Sequence, residues 1–294
     1  VTIVVPFPAG GTTDVLARHL GKALSEKWSQ PVVIENKSGA SGTIGSADVA
    51  RSAPNGYKLL VTATHHIINP TLLKDTIPYD TKAVFSNIAL VASVPNVLVV
   101  NKNFEAKTVR DLIKMAKEKP GTINFGSAGI GGANHLSGEL FAHMAGIKLT
   151  HIPYRGAAPS LNDLLAGQIP VMFDSVPGVL AHIQSGSLRA LGVTSKQRVP
   201  QLEDTPTIAE AGVKDFEAIS IFGLYGQKNI PVGVLEQISN DVRNVLQSAD
   251  IKEKFAALGA TPGNLPQPQF DAYVNNEIDK WAEVIQQANI TLPK

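Results

Sequence analysis

The sequence predicts an α/β protein built as two lobes, each a sheet flanked by helices. Short β-branched apolar runs alternate with segments of helical periodicity, Gly-rich loops join strand to helix near the start and twice in the middle, and the C-terminal part reads as helix after one long β-rich run. A length of 294 residues exceeds one typical small domain, which also favours two lobes.

Val1–Val5 is too short and too β-branched for a helix, and suits a strand buried on both faces of a parallel sheet. The Pro6–Thr12 loop follows, then Val15, Leu16, Leu20, Ala23 and Leu24 at helical spacing, with Thr12, Thr13 or Asp14 as the N-cap. Residues 32–35 form a strand, 36–42 a Gly/Ser turn and 43–51 a short helix. The next strand, 57–62, ends at Ala63-Thr-His-His-Ile-Ile-Asn-Pro70. Asn96–Asn101 is a further strand, and Thr108 caps an amphipathic helix that points Val109, Leu112 and Ile113 inward and ends at Pro120-Gly121.

The middle of the chain repeats the opening pattern. Thr122–Ser127 leads through Ala128-Gly-Ile-Gly-Gly-Ala-Asn134 into a helix bearing Leu136, Leu140, Phe141 and Met144. Leu149–Tyr154 leads through Arg155-Gly-Ala-Ala-Pro-Ser160 into one bearing Leu161, Leu164 and Leu165. Strands at 170–174 and 188–194 flank a helix at 176–184, and the turn-rich 200–212 segment contains a short helical piece at 208–212. The β-rich run 216–226 precedes helices at 234–246, 251–258 and 270–288. A helical tail cannot complete a sheet but can pack on one. The expected first lobe is therefore residues 1–101 plus 222–294 and the second 102–221, with hinge crossings near 98–103 and 216–226 and closure as a clamshell.

Each strand–loop–helix junction presents backbone N–H groups without intrahelical acceptors, together with the positive end of the helix dipole, and so attracts anions. The alternative at each is a tight turn without a ligand. Hydrophobic residues make up 44% and charged residues 17%, and a net charge of +1 spread along the chain leaves no electrostatic footprint for nucleic acid or a membrane surface. The absence of Cys excludes disulfides, thiolate catalysis and zinc–thiolate sites. No apolar run is long enough to cross a bilayer, and a chain that opens inside a strand without Met fits removal of a signal peptide.

Val4-Val-Pro-Phe-Pro-Ala-Gly-Gly-Thr-Thr-Asp14 with Arg18, Asn36 before Gly39-Ala-Ser-Gly-Thr43, Ser127-Ala-Gly-Ile-Gly-Gly132 with His135, Ile152-Pro-Tyr-Arg-Gly156, Gly167-Gln168 with Phe173-Asp174, and Asp204-Thr-Pro-Thr-Ile-Ala-Glu-Ala-Gly212 resemble the Bug family. These are extracytoplasmic solute-binding proteins of tripartite tricarboxylate transporters, and the resemblance runs from Val1 to Trp281. It implies a type II-like periplasmic binding protein, monomeric and without cofactor, that captures a small carboxylate and delivers it to membrane permease subunits. The carboxylate would be a mono- or dicarboxylate, an amino acid or an aromatic acid. It also implies that the loop at Pro6–Asp14 holds one carboxylate through backbone N–H groups and ordered waters, and that Ser127–Gly132 and Arg155–Ala158 supply the second-lobe contacts. This chain departs from the family's usual hinge by carrying Ile221-Phe-Gly223 and Tyr225-Gly-Gln-Lys228.

The ligand-binding candidates are Phe7, Ala9, Gly10, Gly11, Thr12 and Asp14 in the first loop, Thr64, His65 and His66 at a strand end, Ser127, Ala128, Gly131 and His135 at the second junction, Arg155, Gly156 and Ala157 at the third, and Asp174. Asp14 and Asp174 each either cap a helix or face the ligand. A cleft-facing carboxylate would favour an ammonium group or a hydrogen-bond donor on the ligand. Arg155 either clamps a carboxylate or bonds within its own lobe. Around Gly129-Ile-Gly131 the third glycine of a dinucleotide fingerprint is Asn134, no Walker loop or nucleophile elbow occurs, and His135 and His143 lack a third metal ligand. The expectation is thus a periplasmic binding protein and no enzyme. An α/β enzyme using the Gly loops for a phosphate or acyl anion, and a sensory or partner-interaction protein, are the competing classes.

Overall fold

The computed structural model describes residues 1–287 and Ile290. They fall into two compact units, one of residues 1–93 and 221–287, the other of residues 94–220, so the chain passes between units inside two strands.

The first unit begins with β1 (Thr2–Val5), α1 (Thr12–Trp28), β2 (Val33–Asn36), α2 (Thr43–Ala50), β3 (Lys58–Ala63), α3 (His65–Leu72), the single turn α4 (Thr81–Val84) and the start of β4 (Phe85–Asn101). Strands β2, β1 and β3 are parallel neighbours, with Thr2 opposite Val33 on one side and Lys58 on the other. The β1 core residues Ile3, Val4 and Val5 are wholly buried, as an uninterrupted apolar run requires. Helix α1 buries Leu16, Leu20 and Leu24, each worth about 2 kcal/mol against exposure. It lies so close to β2 that a Cβ at Gly21 would come within 2.9 Å of Ile34 Cδ1.

The second unit takes the rest of β4, then α5 (Val109–Glu118), β5 (Asn124–Ser127), α6 (Ala133–Ala145), β6 (Thr150–Pro153), α7 (Ala157–Leu165), β7 (Val171–Ser175), α8 (Val176–Gln184) and β8 (Leu188–Val193). Strands β6, β5 and β7 run parallel, whereas β4 is antiparallel to both β7 and β8. One apolar core joins Val109, Leu112 and Ala116 of α5 to Phe125, Phe141, Phe173 and Phe216. A capping box starts α5, with Asp111 N donating to Thr108 Oγ1 at 3.1 Å and Thr108 N to Asp111 Oδ2 at 2.9 Å.

Strand β9 (Ile219–Gln227) returns the chain to the first unit, where it lies antiparallel to β3, with Leu59 opposite Gly226. Helices α9 (Val232–Leu246) and α10 (Ala249–Ala257), strand β10 (Thr261–Pro262) and helix α11 (Gln267–Gln287) follow, with β10 pairing antiparallel to β4. Phe270, Val274, Ile278, Trp281 and Ile285 form the buried stripe of α11, as the spacing predicts. The expected last helical residue, Ala288, lies outside the described residues.

The structure departs from the sequence-based expectations at four places. β4 runs for 17 residues and therefore starts well before Asn96. His65–Leu72 is helix despite Pro70. Residues 208–212 form hydrogen-bonded turns instead of a helix, the α-turn from Ala211 N to Thr207 O being followed by a bond from Val213 N back to Ile208 O. Helix α1 has Gly11 at its N-cap and no side-chain cap, because Asp14 turns away to other partners.

Candidate functional site

In the first unit the loop between β1 and α1 is held from behind. Asp14 is 2% exposed, and its Oδ2 accepts from Gly10 N at 2.9 Å and Arg18 Nε at 2.8 Å while its Oδ1 accepts from Asn36 Nδ2 at 2.9 Å. Asn36, at the end of β2, also donates to Phe7 O at 3.1 Å and accepts from Arg18 Nη2 at 3.0 Å. Desolvation, the largest influence on this carboxyl, raises its pKa, but the bonds from Arg18, Gly10 and Asn36 outweigh it and keep the group below the ordinary carboxylate range. Asp14 is therefore a locked anion that fixes loop shape, and the Gly10 amide is engaged by it.

The same lock leaves Pro8, Ala9, Gly10 and Gly11 exposed at the head of α1, with Thr12 and Phe7 half-buried. Gly10 has φ +86°, a region that L side chains rarely adopt. Phe7 faces His65 with ring centroids 4.9 Å apart. Thr64 is buried, and its Oγ1 accepts from Ile221 N at 3.0 Å. His66 points into the core: it stacks on Tyr225 at 3.9 Å and meets the Phe85 ring edge-on at 4.9 Å. Its Nε2 has no hydrogen-bond partner among the described residues, and burial pushes its pKa down to about 3. Of the neighbouring histidines, His65 and not His66 accompanies the loop.

In the second unit Ser127 ends β5, fully buried, with Oγ donating to Gly129 O at 2.9 Å and lying 2.7 Å from His151 Nε2. Gly129 N returns a bond to Ser127 Oγ at 3.2 Å. His151 stacks on His135 at 3.9 Å, and burial first, then His135, depresses its pKa to about 3. Gly131, with φ +79°, donates its N–H to His135 Nδ1 at 3.2 Å. Ser127, His135 and His151 thus brace the 128–132 loop from beneath. Ala128 is half-buried at its rim, Gly131 is buried, and helix α6 begins just beyond with Gly132 at its N-cap.

Arg155 precedes α7, whose N-cap is Gly156 at φ +122° and whose first residue is the half-buried Ala157. Its side chain is exposed and makes no hydrogen bond or ion pair among the described residues, so of the two readings of Arg155 the internal bond is absent. A free guanidinium beside a helix N-terminus offers a carboxylate both bidentate donors and a favourable dipole.

Asp174, 2% exposed at the end of β7, accepts on Oδ1 from Asn134 Nδ2 at 2.7 Å and Ser175 N at 2.8 Å. Its Oδ2 has no partner among the described residues, and burial, opposed by those two bonds, pushes its pKa up to about 6. Asp14 and Asp174 thus sit in opposite electrostatic environments.

Each unit therefore gathers part of the candidate set. Phe7 to Thr12 share one braced loop in the first unit, and 127–132 with 155–157 form two helix-heading loops in the second. Thr64 and His66 fall in the core side of the first unit. Sequence reasoning did not select His151, whose place beside Ser127 follows from the β6 register that sets it opposite Phe125. No group of three or more His, Cys, Asp or Glu able to hold a metal occurs among the described residues, and no helix among them is long and apolar enough to cross a membrane.

Residues 16–290 match the family described as tripartite tricarboxylate transporter family receptor. An adipate-bound protein of R. palustris is 36% identical, with a TM-score of 0.93 over 99% of this chain and 97% of that one. The periplasmic binding protein BugD is 35% identical, with a TM-score of 0.90 over 99% and 98%. MatC from Rhodopseudomonas palustris, with bound malate, is 27% identical, with a TM-score of 0.88 over 97% and 98%. The fold is that of the two-lobed α/β periplasmic binding proteins, and the chain belongs to the TctC receptors of tripartite tricarboxylate transporters, the Bug family.

Proposed function

We propose that this receptor captures a linear dicarboxylate in the periplasm, acts as a monomer without turning its ligand over, and hands it to the membrane subunits of a tripartite transporter. Relatives whose solved structures hold adipate and malate support a dicarboxylate. The observation that carries the reading is Arg155, an exposed guanidinium without an internal partner beside the head of α7. In this reading the second unit offers a carboxylate the Arg155 side chain and the amides of Gly156 and Ala157, with Ala128 and the 127–132 loop beside them. The first unit offers a carboxylate the N–H groups of Ala9 and Gly11, with waters, beside Phe7. Asp14 acts by holding that loop in shape, and Asp174, whose Oδ2 is buried from solvent, acts indirectly by holding Asn134 of α6. Thr64 and His66 support the first unit from its core and do not touch the ligand.

A thermal-shift panel of C4–C6 dicarboxylates, amino acids, citrate and aromatic acids tests the reading. A ligand at about 100 times its dissociation constant should raise unfolding stability by about 2.7 kcal/mol. Arg155→Gln should weaken the best dicarboxylate by roughly 1.5–3 kcal/mol, the range of a charge-assisted hydrogen bond, without moving the unliganded Tm. A flat panel, or a variant that binds as the parent does, would sink it. Recovery of a chemically altered ligand after incubation would favour an enzyme.

A further inference from the structure

The outer face of α5 carries charge that the ligand-binding reading does not use. Arg110, Lys114 and Lys117 recur at i, i+4 and i+7, all exposed, while Val109, Leu112 and Ala116 of the same helix are buried in the core. At 1.5 Å rise per residue the three cations extend over about 10 Å. Some other cations of the chain are closed on carboxylates, as in Arg18 with Asp14, Lys58 with Asp48 and Arg198 with Glu210. No side-chain hydrogen bond or ion pair is closed on Arg110, Lys114 or Lys117 among the described residues.

These cations border a trough. A hollow of about 520 Å³ lies between them and the Ala211–Gly212 turn, with half-buried Ile113 exposing apolar surface to it and Glu118 at one end. A second hollow of about 750 Å³ shares Arg110 and Ala211 with the first and adds Lys102 and Lys107. Of its two acidic residues, Glu210 is engaged by Arg198 at 2.9 Å and Asp204 is exposed, while the Arg189 guanidinium is engaged by the carbonyls of Lys102, Phe104 and Ala106.

We propose that this trough on the second unit is a docking surface for an acidic peptide segment of a partner protein, with carboxylates about one helical turn apart. A single small anion is disfavoured because cations set successive turns apart along a helix do not converge on one point. A flat anionic bilayer is disfavoured because the trough is concave and Ile113 lines it. An acidic chain lying along α5 meets the cations in register and covers that apolar surface. The inference concerns a surface distinct from the ligand candidates and does not rest on the carboxylate reading.

The test uses the full chain and a labelled Ala-rich peptide bearing Glu at i, i+4 and i+7, followed by fluorescence anisotropy. The expected result is binding that weakens several-fold as ionic strength rises from roughly 20 to 200 mM, because rim charges are screened. The triple variant R110E/K114E/K117E should bind at least ~10-fold more weakly. A charge-matched control, R51E/K74E/K252E, reverses exposed cations of the first unit and should stay within ~2-fold of the parent. R110Q/K114Q/K117Q, read beside circular dichroism melts, should give a smaller loss with the fold intact. No binding by the parent chain, or equal losses in both reversal variants, would overturn the proposal. So would tighter binding to phosphatidylglycerol-containing vesicles through the same residues, which would assign the surface to lipid.

Discussion

His66 makes the first unit acid-labile in a way that can be measured at one side chain. Its ring is packed between Tyr225 and Phe85 with Nε2 unpartnered, and its pKa falls from 6.5 to about 3 because burial penalises the cation. A lowered histidine pKa means that the unfolded chain binds the proton first, so stability is full above pH 6.5 and is lost as pH falls from there toward 3. At pH 5, about 1.5 pH units below the unfolded value, the loss from this residue is about 2 kcal/mol. His66→Phe keeps an aromatic ring against both neighbours and removes the titrating group. It also removes the unpartnered nitrogen, which offsets the cost of slight overpacking, so at pH 7 it should lie within ~1 kcal/mol of the parent. Both tryptophans, Trp28 and Trp281, belong to this unit, so urea unfolding followed by tryptophan fluorescence reports on it selectively. Between pH 7 and 5 the parent should lose about 2 kcal/mol more than the variant. Parallel pH profiles for the two would refute the assignment of a buried, neutral imidazole.

Three more outcomes follow from the packing. Asp14→Ala removes the acceptor shared by Gly10, Arg18 and Asn36, and should cost roughly 2–4 kcal/mol in the fluorescence-monitored unfolding and abolish ligand-induced stabilisation; unchanged stability would mean the network is ornamental. Asp174→Asn should stabilise the second unit above pH 6 and not below pH 4, because a carboxyl raised to about 6 contributes stability in acid that is lost as pH rises through that value. The gain is at most about 3 kcal/mol, and far-UV circular dichroism in urea at pH 4 and 8 reads it, with equal gains at both counting against it. Gly138→Ala places a Cβ 2.3 Å from Phe125 Cε2, so it should destabilise the second unit by about 1–3 kcal/mol, visible as faster hydrogen exchange along β5, and normal exchange would contradict the close packing.

The strand–loop–helix junctions were legible because their signals are local: an apolar β-branched run, then Pro and Gly, then helical spacing. Residues 85–95 were not, since Ser86, Asn87 and Pro95 interrupt the apolar pattern and only pairing with β9 and β10 makes them strand. The turn at 208–212 carried helical composition but lacks the length for a second turn of bonds. Which way Asp14 faces depends on Asn36, 22 residues away, and the burial of His66 depends on Phe85 and Tyr225. Neighbouring His65 and His66 point apart on α3, and a sequence gives no means to choose between them before those long-range partners are known. Arg155 was readable as a candidate by residue type alone, whereas the absence of an internal partner needed the fold.

The closed Asp14–Arg18 pair has an electrical consequence for whatever anion rests on the first loop. Since each formal charge there is cancelled by its neighbour, attraction comes from amide dipoles at contact range, which dissolved ions scarcely shield. In the proposed site the first loop would keep its grip in dilute and in saline surroundings alike, and Arg155 would be the place where ionic strength tunes capture.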